Sequence, residues 1–506
     1  MADAVPTVCL KRGCAKPLHA GHPWVFAEAV ARIEGAEAPA GGEVRVVDDR
    51  GTCVGRGFYS PHSAIAVRII SRADAPITPA LITSRIDDAL RLRRDVLGLG
   101  LAQTAPYTTA FQPVDGHGQD AHATASGTAF QPVNMGKMPM PQPPAAGDAA
   151  LLSAIEEQLS KIQSFAALYG MDALEETAEL RKRRDELLKS LGAAAPAMAG
   201  VFPRLGATDA YRLVNSEGDG LGGLIVDVYG EYVALQIGTP GIARRQQIIL
   251  DALSSRLCPK GILDRSDAHT WQLEKMNPPS GAVLYGQAPE APFPVREYGL
   301  EMLCDLRRGR SQKTGLFLDQ RENRRRFARF ASGRNVLDVF SYSGGFAVHA
   351  ARAGAKSITL LDSSAEALEL ARGNLERNKI QAAELINAEW TEGFKRLREA
   401  GRLFELLVLD PPKFARSKDN LAQALTAYRD LNAQAARLLA PGGLLFTCSC
   451  SGNVTEVEFE RAVAGGLRLA ERRAVLLERR GAAPDHPVPP GFEQGRYLKC
   501  LVLQVV

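Results

Sequence analysis

From about residue 333 onward, five short apolar segments alternate with stretches that have the periodicity of amphipathic helices. The segments read "RNVLDVF", "SITLLD", "AELINAE", "LFELLVLDPP" and "GGLLFTCSC". Apolar runs of this length that alternate with helices are typical of parallel strands buried on both faces. The pattern therefore constrains this part of the chain to an α/β fold, in which helices cover both faces of a parallel sheet.

The first of these strands leads into a glycine-bearing turn and a helix, in the stretch "VLDVFSYSGGFAVHAA". A turn of this kind, at the carboxyl end of a strand, lets the backbone approach a ligand closely. It does not match the GxGxxG pattern, so it does not specifically indicate a dinucleotide. The candidate ligand contacts in this stretch are Asp338, Phe340, Tyr342 and Gly344.

The next two strands also end in residues that suit a ligand. The second ends at Asp362, where a carboxylate can accept hydrogen bonds from both hydroxyls of a ribose. The third ends near Glu389 and Trp390, an acid and an aromatic that suit an adenine ring. Each feature alone fits a helix cap or a core aromatic, but their recurrence at successive strand ends favours a binding site. Because the turn has no phosphate-binding lysine, an adenosine without phosphates is indicated, and S-adenosylmethionine (SAM) is the candidate cofactor.

The fourth and fifth strands end in "LDPPKFARSK" and "FTCSCSG". Two prolines stiffen the turn after Asp410, whose carboxylate can accept a hydrogen bond from the exocyclic amine of a base, and Phe414 offers a stacking face. An ordinary strand-ending turn is the alternative. Alternation along an extended strand predicts that Cys448 and Cys450 lie on the same side, with Cys450 nearer the loop.

The eight cysteines are scattered, and no paired CxxC spacing indicates zinc or thioredoxin-type chemistry. A metal site at Cys448 and Cys450 lacks further closely spaced ligands, and a disulfide between them would be strained. Packing and nucleophilic catalysis remain as their roles.

The chain has neither a signal-type apolar segment nor an apolar run that could span a bilayer, so a reduced, cytoplasmic protein without a membrane partner is expected.

Residues 6 to about 72 alternate short β-type runs with turns. This predicts a small β-barrel of the kind that handles RNA, although any small β module has the same periodicity. The predicted domains are 1–102 (the barrel with a connecting helix), 103–148 (a flexible linker rich in Pro, Gly and Ala), 149–200 (a helical hairpin), 201–303 (a central α+β domain) and 304–506 (the α/β domain). A partner-docking coiled coil is the alternative for 149–200.

Positive charge is concentrated in front of the α/β domain, although the net charge of the chain is only +4. Nine basic residues lie between Arg307 and Arg329, against the two acids Asp319 and Glu322. Such a run is often a solvated helix face, but its place beside the candidate cofactor fold favours contact with RNA phosphates. The candidate RNA contacts are Arg307, Arg308, Arg310, Lys313 and Phe414.

Five ordered motifs resemble the 23S rRNA (cytosine-C5) methyltransferase I family. They read "KTGLFLDQRENRR", "VLDVFSYSGGFAVHAA", "LDPPKFARSK", "FTCSCSG" and "DHPV…GRYLK". The resemblance covers residues 6–102 and 204–506 and leaves out the segment between them. It implies an N-terminal PUA β-barrel, a central α+β domain, a class I Rossmann-like methyltransferase domain, SAM as cofactor and 23S rRNA as partner.

The resemblance also implies roles for individual residues. The nucleophile of the family is the cysteine of "SCSG", which is Cys450 here, and Cys448 is implied to pack in the core. Gln320 and Arg321 are implied to lie near the cofactor or the target base. The start of the RNA face of the PUA domain is implied at Arg12, His22, Pro23 and Trp24. "DPPKF" has no second cysteine, and Glu389 stands where an aspartate is commoner in the family.

Methylation of cytosine at carbon 5 requires a nucleophile and an acid, because this carbon does not attack a sulfonium methyl unaided. A thiolate that adds to carbon 6 makes carbon 5 nucleophilic, and a carboxylate at the N3/N4 edge of the base anchors or protonates it. Cys450 and Asp410 are the candidates. The alternatives are a SAM-dependent methyltransferase of another RNA base without a covalent adduct and a non-catalytic RNA-binding assembly factor, and a homodimer is left open.

Overall fold

The structure is a computed structural model that describes residues 5–97, 99, 208–276, 283–307, 315–415 and 418–506. These residues belong to one compact unit, made of Met1–Gln103 and Phe202–Val506. The predicted linker 103–148 and helical hairpin 149–200 lie outside the described residues. The candidate RNA contacts Arg308, Arg310 and Lys313 lie outside them as well.

The N-terminal part forms a six-stranded sheet with the order β2-β6-β5-β4-β1-β3. Its strands are β1 (Thr7–Leu10), β2 (Trp24–Phe26), β3 (Val30–Glu34), β4 (Glu43–Val47), β5 (Cys53–Tyr59) and β6 (Ile65–Ser71), with the helices α1 (Lys16–His19) and α2 (Pro79–Arg91). In β4, Val44 and Val46 are both fully buried, as expected for alternate residues on the core face of a strand. The Thr78 side chain caps α2 by accepting a hydrogen bond from the Leu81 amide. A π-helical turn over Leu92–Val96 continues the helix.

The central part contains a five-stranded sheet and a separate hairpin. The sheet, in the order β11-β10-β9-β8-β7, consists of β7 (Ala210–Asn215), β8 (Leu224–Tyr229), β9 (Tyr232–Ile237), β10 (Gly261–Asp264) and β11 (Val283–Gly286), with the helices α3 (Pro240–Ala243), α4 (Gln246–Leu257) and α5 (Ala268–Leu273). The hairpin consists of β12 (Phe293–Glu297) and β13 (Leu300–Cys304). Its buried residues Val295, Leu300 and Met302 share one hydrophobic core with the C-terminal sheet. The hairpin therefore packs as part of the domain that follows it.

The C-terminal part is a seven-stranded sheet with the order β16-β15-β14-β17-β18-β20-β19. The strands are β14 (Asn335–Val339), β15 (Ser357–Asp362), β16 (Ala383–Asn387), β17 (Phe404–Leu409), β18 (Leu439–Ser449), β19 (Ala474–Arg480) and β20 (Lys499–Val505). The helices are α6 (Arg321–Ala328), α7 (Gly345–Arg352), α8 (Ala365–Arg377), α9 (Trp390–Glu399), α10 (Leu421–Ala436) and α11 (Glu456–Leu469). The five predicted strands pair in parallel, and β20 runs antiparallel to β18 and β19.

Successive residues of the central strands enter two different cores, one on each face of the sheet. In β17, Leu406 and Val408 belong to the core that holds the hairpin, whereas Leu407 and Leu409 belong to the core under α10 and α11. Because neither face is open to water, successive residues on both faces of these strands are mostly apolar. The strand order reverses between β14 and β17, and in open α/β sheets this reversal forms a ligand crevice at the carboxyl ends of the strands.

Candidate active site at the carboxyl edge of the sheet

The turn that follows β14 has a strained backbone. Phe340 and Tyr342 have φ values of 60° and 46°, in the left-handed region that bulky side chains rarely adopt. The Tyr342 amide donates to Asp362 Oδ2 at 2.8 Å, which fixes the turn to the end of β15. The Phe317 ring meets the Tyr342 ring at 5.3 Å. Strain of this kind persists only where surrounding contacts impose it, and it is concentrated at ligand sites.

Two glycines let α7 begin directly against the sheet. Gly344 has a φ of 73°, and a Cβ on it would lie 3.0 Å from Leu360 Cδ2. A Cβ on Gly345 would lie 2.7 Å from Arg324 Cδ. Any larger residue at Gly344 would combine backbone strain with this close contact. The sequence "SGG" thus creates the close approach between helix and strand that a ligand-binding turn requires.

Acidic side chains lie at or near the carboxyl ends of β14, β15 and β16. Asp338 is 1% exposed, and its Oδ2 accepts a hydrogen bond from the Ala347 amide at 3.0 Å. Burial, reinforced by the negative charges of Asp410 and Asp362, raises the pKa of Asp338 to about 8 against the effect of that hydrogen bond. Asp362 is half-buried at the end of β15, and the exposed Glu389 precedes α9.

The donors and acceptors at this edge fit an adenosine ligand. The Ser341 hydroxyl is buried without a hydrogen-bond partner among the described residues, so a polar group at the turn is left to be satisfied. Trp390 is half-buried and presents its ring 5.7 Å from Phe394, beside the acidic Glu389. The Asp362 carboxylate accepts from two backbone amides and retains further lone-pair directions. Hydroxyl, carboxylate and aromatic groups therefore occur together where SAM would bind.

A chain of amide hydrogen bonds orients the carboxylate of Asp410, which directly follows β17. Gln320 Nε2 donates to Asp410 Oδ1 at 2.8 Å, and Asn323 Nδ2 donates to Gln320 Oε1 at 2.7 Å. Arg480 Nε in turn donates to Asn323 Oδ1 at 2.9 Å. Gln320 and Asn323 are 2% and 0% exposed, so their amides have one defined orientation. The chain presents a fixed N–H group to Asp410 Oδ1.

Cys450 directly follows β18 and contacts the turn that begins at Asp410, whereas Cys448 is buried within β18. The Cys450 thiol is half-buried and donates to the carbonyl oxygen of Pro411 at 3.9 Å. Cys448 is fully buried opposite Cys500 of β20, and its contact with that thiol, together with burial, raises its pKa well above the usual range. β18 ends at Ser449, so Cys450 lies just beyond the strand, at the loop as predicted, and the prediction that both thiols lie on one side stays a prediction. The two thiols therefore differ in environment, and only Cys450 is accessible.

The residues around Cys450 are held by contacts that the sequence did not reveal. Ser449 Oγ donates to the Tyr428 hydroxyl at 2.9 Å, and the same hydroxyl lies 3.2 Å from Ser451 Oγ. Lys499 Nζ donates to the carbonyl oxygens of Ser451 and Val454 at 2.6 and 2.8 Å. The serines that flank Cys450 in "SCSG" and the lysine of "GRYLK" were the available signals. Three elements, α10, β18 and β20, therefore fix the backbone of the nucleophile candidate.

Two arginines of α6, which belong to the basic run predicted to contact phosphate, form ion pairs with buried carboxylates. Arg321 is 1% exposed and donates to Asp485 Oδ2 at 2.7 Å. Arg324 is 7% exposed and pairs with Glu297 at 2.5 Å. For these two residues burial and pairing rule out the predicted contact with phosphate, whereas the role implied for Arg321 near the cofactor or target base stays a prediction. The guanidinium of Arg307 is half-exposed and is held by Asp305 at 2.7 Å.

Residues implied to begin the RNA face of the N-terminal sheet also contact other parts of the chain. His22 is 8% exposed and lies 3.3 Å from Gln494 Oε1. Trp24 Nε1 donates to Glu217 Oε1 at 2.7 Å, and its ring meets that of Phe492 at 4.7 Å. These aromatic side chains join the N-terminal sheet to the rest of the molecule, and their implied contact with RNA stays a prediction.

A pocket of about 240 Å³ lies between the central sheet and the Asp410 turn. Its central-sheet wall includes Asn215 and Gln236, and its opposite wall includes Phe317, Asp319 and Lys413. Asp319 directly precedes Gln320, and Lys413 lies in the "DPPK" turn. The pocket therefore adjoins the chain of residues that orients Asp410, and its volume suits one nucleotide.

Comparison with known proteins identifies two domain families. A PUA-like domain matches residues 8–72, and an S-adenosylmethionine-dependent methyltransferase domain matches residues 264–476. Among curated relatives, the ribosomal RNA large subunit methyltransferase I of Aeromonas salmonicida is 38% identical over 332 residues, which are 65% of this chain and 82% of the relative. The protein of that name from Klebsiella pneumoniae is 30% identical over 511 residues, which cover 100% of both chains.

Solved structures share the fold. A proposed SAM-dependent methyltransferase from Streptococcus mutans has a TM-score of 0.66 at 17% identity and covers 99% of this chain and 100% of its own. A proposed methyltransferase complexed with SAH has a TM-score of 0.68 at 18% identity, with the same coverage of 99% and 100%. Within the described ranges, every helix is too short or too polar to cross a bilayer. In those ranges no three His, Cys, Asp or Glu side chains converge to hold a metal ion.

Proposed function

The chain belongs to the ribosomal RNA large subunit methyltransferase I family, and from this premise we propose that it methylates carbon 5 of a cytosine in 23S rRNA. The family and the matched domain make it a SAM-dependent methyltransferase of large-subunit rRNA. The proposal adds the base, the reacting carbon and the nucleophile, which is Cys450.

The observation that carries the proposal is the position of the Cys450 thiol. It lies against the carbonyl of Pro411, the residue next to Asp410, at the carboxyl edge of the sheet. Addition to a pyrimidine ring requires a thiol together with an acidic group, and Cys450 presents its thiol to the turn that begins at Asp410. Cys448, only two residues earlier, is fully buried, so exposure distinguishes one cysteine from the other.

Cys450 and Asp410 have different roles in the proposed reaction. The Cys450 thiolate adds to carbon 6 of cytosine, while the Asp410 carboxyl group, held by Gln320, donates its proton to N3 of the base, so that the negative charge that addition places on the ring is neutralised. Asp410 takes this proton back when the thiolate leaves. Carbon 5 becomes nucleophilic and takes the methyl group. Loss of the carbon 5 proton to a base then allows the Cys450 thiolate to leave, which restores the aromatic ring and the free enzyme.

SAM, when bound, supplies the methyl group as an electrophile. The residues proposed to hold it are those of the strained turn and the strand ends. Asp362 is assigned to the ribose hydroxyls, and Glu389 with Trp390 is assigned to the adenine side. The remaining cofactor contacts are proposed at Asp338, Phe340, Tyr342, Gly344 and Gln320.

For the RNA, we assign the target nucleotide to the region between Asp410 and the adjoining pocket. Phe414 is half-buried, and its ring lies 4.8 Å from that of Tyr428. A splayed-out base can stack on such aromatic faces. Lys413 is exposed at the rim of the pocket, where a cation favours phosphate. An unpaired nucleotide of 23S rRNA is therefore the proposed substrate.

The test uses ribosomal RNA from a strain that lacks this gene. Wild-type protein with SAM is expected to create a 5-methylcytosine at one position, which bisulfite sequencing maps, and Cys450→Ala is expected to lose this activity by at least about 10³-fold. The matched control is Cys448→Ala, which is expected to retain the activity. Full activity in Cys450→Ala, or a methyl group on another base, would contradict the proposal.

A further inference from the structure

Lys499 is a buried lysine that lies next to the candidate nucleophile and has no role in the chemistry set out above. The residue is 6% exposed. It is the first residue of β20 and pairs with Ser449, the last residue of β18. Its ammonium group donates to the carbonyl oxygens of Ser451 at 2.6 Å and Val454 at 2.8 Å. These two carbonyls belong to the turn that begins directly after Cys450.

Burial of an ammonium group is costly, and two neutral carbonyls offset only part of that cost. Burial lowers the pKa of Lys499 to about 8, so the group is mostly protonated at neutral pH. The charges that act on it are those of Cys450, of Glu456 and Glu458 at the start of α11, and of Lys413. Glu458 is committed to the N-cap of α11 through Thr455. A buried cation in such surroundings is suited to stabilise an anion that forms nearby.

We propose that Lys499 is a positioning residue for Cys450, which fixes the turn after it and stabilises the thiolate form with its positive charge. The hydrogen bonds to Ser451 and Val454 set the direction in which the Cys450 side chain leaves the sheet. The charge favours thiolate over thiol, and the thiolate is the nucleophilic form. The inference rests on the proposed function for its purpose, but it concerns the state of the thiol alone.

Among the described residues, the other groups near the thiol supply less of this charge. Tyr428 of α10 interacts with the charge of Cys450, but it is a neutral phenol whose pKa burial raises. The turn after β17 contributes Lys413, whose side chain is exposed. A charge on an exposed side chain is screened by water and salt much more than a buried one. Within the described part of the chain, Lys499 is therefore the buried cation placed to stabilise the thiolate.

The test measures the alkylation of Cys450 by iodoacetamide as a function of pH, without SAM or RNA, in Lys499→Met and Lys499→Arg. Mass spectrometry follows Cys450 and, as an internal control in the same protein, the exposed Cys258. In Lys499→Met, alkylation of Cys450 at about pH 7 is expected to slow about tenfold, with its midpoint at higher pH, because a neighbouring charge changes a pKa by about one unit. Lys499→Arg is expected to keep most of the wild-type rate, and Cys258 is expected to be unaffected.

Three outcomes overturn the proposal: an unchanged Cys450 profile in folded Lys499→Met, an equal slowing in Lys499→Arg, and a parallel change at Cys258. If Lys499→Met does not fold, Lys499→Gln, which can still donate to a carbonyl but lacks the charge, gives the same measurement with the same expected slowing. Failure of the proposed function is a separate result, because methylation by Cys450→Ala would refute it while the alkylation profiles stay as predicted.

Discussion

Two clusters of polar residues in the molecule have opposite electrostatic characters. The first is the strand-end cleft, with Asp338, Asp410 and Cys450. The second, which we call the ionic joint, is formed by Arg93, Asp219, Arg321 and Asp485. Arg93 donates to Asp219 at 2.5 Å and to the carbonyl oxygen of Asp485 at 2.7 Å, and Arg321 pairs with Asp485 at 2.7 Å. The joint thereby connects the end of α2, the central sheet and the C-terminal domain.

The carboxylates of the two clusters respond to burial in opposite directions. In the cleft, burial and neighbouring carboxylates raise the pKa of Asp338 to about 8. In the joint, burial acts in the same sense on Asp485, but Arg321 and His486 outweigh it and hold its pKa well below the usual range. A buried carboxylate that is paired with a cation can hold two domains together. Carboxylates that crowd together at strand ends have perturbed pKa values, which are common at active sites. The direction of the pKa shift therefore distinguishes the carboxylate near the candidate catalytic residues from the carboxylate that joins domains.

The largest expected effect concerns Asp410 in the cleft. Asp410→Asn keeps the size of the side chain but removes its charge and its ability to take up a proton. Methyl transfer to rRNA is expected to fall by about 10²–10⁴-fold, the range of general acid–base contributions. The melting temperature is expected to stay within a few degrees of wild type, and thermal unfolding of the same sample provides that control. Near-normal activity would remove Asp410 from the catalytic pair.

Arg321→Met tests the joint. It leaves the buried Asp485 without its cation, so the free energy of unfolding is expected to fall by about 3–5 kcal/mol, as when one partner of a buried ion pair is lost. Chemical denaturation measures this change. SAM affinity of the folded fraction, measured by calorimetry, is expected to stay near wild type. A loss of SAM affinity with unchanged stability would instead return Arg321 to the cofactor site that the family resemblance implies.

Glu297→Gln tests the second buried pair of α6 through its pH dependence. Glu297 accepts from Arg324 and from His349, at 2.9 Å in the latter case, and these cations outweigh burial and lower its pKa. A depressed pKa contributes stability above the unfolded value of about 4.3, and this stability is lost as pH falls. The substitution is therefore expected to cost about 2 kcal/mol at neutral pH and progressively less below about pH 4. Denaturation curves over this pH range measure the cost, and a pH-independent cost would contradict the assignment.

Gln320→Ala lies at the boundary between the two clusters and has the smallest expected effect. It removes the N–H group that orients Asp410, so methyl transfer is expected to fall about tenfold, which corresponds to about 1.4 kcal/mol. Steady-state kinetics with rRNA as the substrate are expected to show the loss as a lower kcat. Gln247→Ala, at an exposed position on α4, is the matched control and is expected to change nothing. If both variants behave alike, the amide chain does not act on Asp410.

The sequence predicted the strands, their parallel pairing and the acids at their ends, because these follow from local apolar runs and from the order of elements along the chain. It did not predict the partners of the arginines. Arg321 and Asp485 are 164 residues apart, and Arg93 and Asp485 are 392 residues apart. A basic run has the same appearance whether it faces phosphate or buried carboxylates, so its role depends on the tertiary structure.

The "DHPV" motif illustrates the same limit. Its aspartate, Asp485, is the centre of the ionic joint, and the carbonyl of Pro487 accepts a hydrogen bond from Asn215 Nδ2 at 2.9 Å. A Cβ on Gly218 would lie 1.9 Å from the same carbonyl oxygen. The motif therefore joins the C-terminal loop to the central sheet. Family resemblance identified the motif, but only the structure shows that its aspartate and proline connect domains.

The most direct measurement of the central claim is covalent trapping. The protein is incubated with SAM and a 23S rRNA transcript that contains 5-fluorocytidine, whose fluorine prevents the loss at carbon 5 that releases the enzyme. The account predicts a denaturant-stable protein–RNA adduct whose linkage maps to Cys450 and which is absent in Cys450→Ala. Methylation of the natural RNA without any trapped adduct, or an adduct at Cys448, would contradict it.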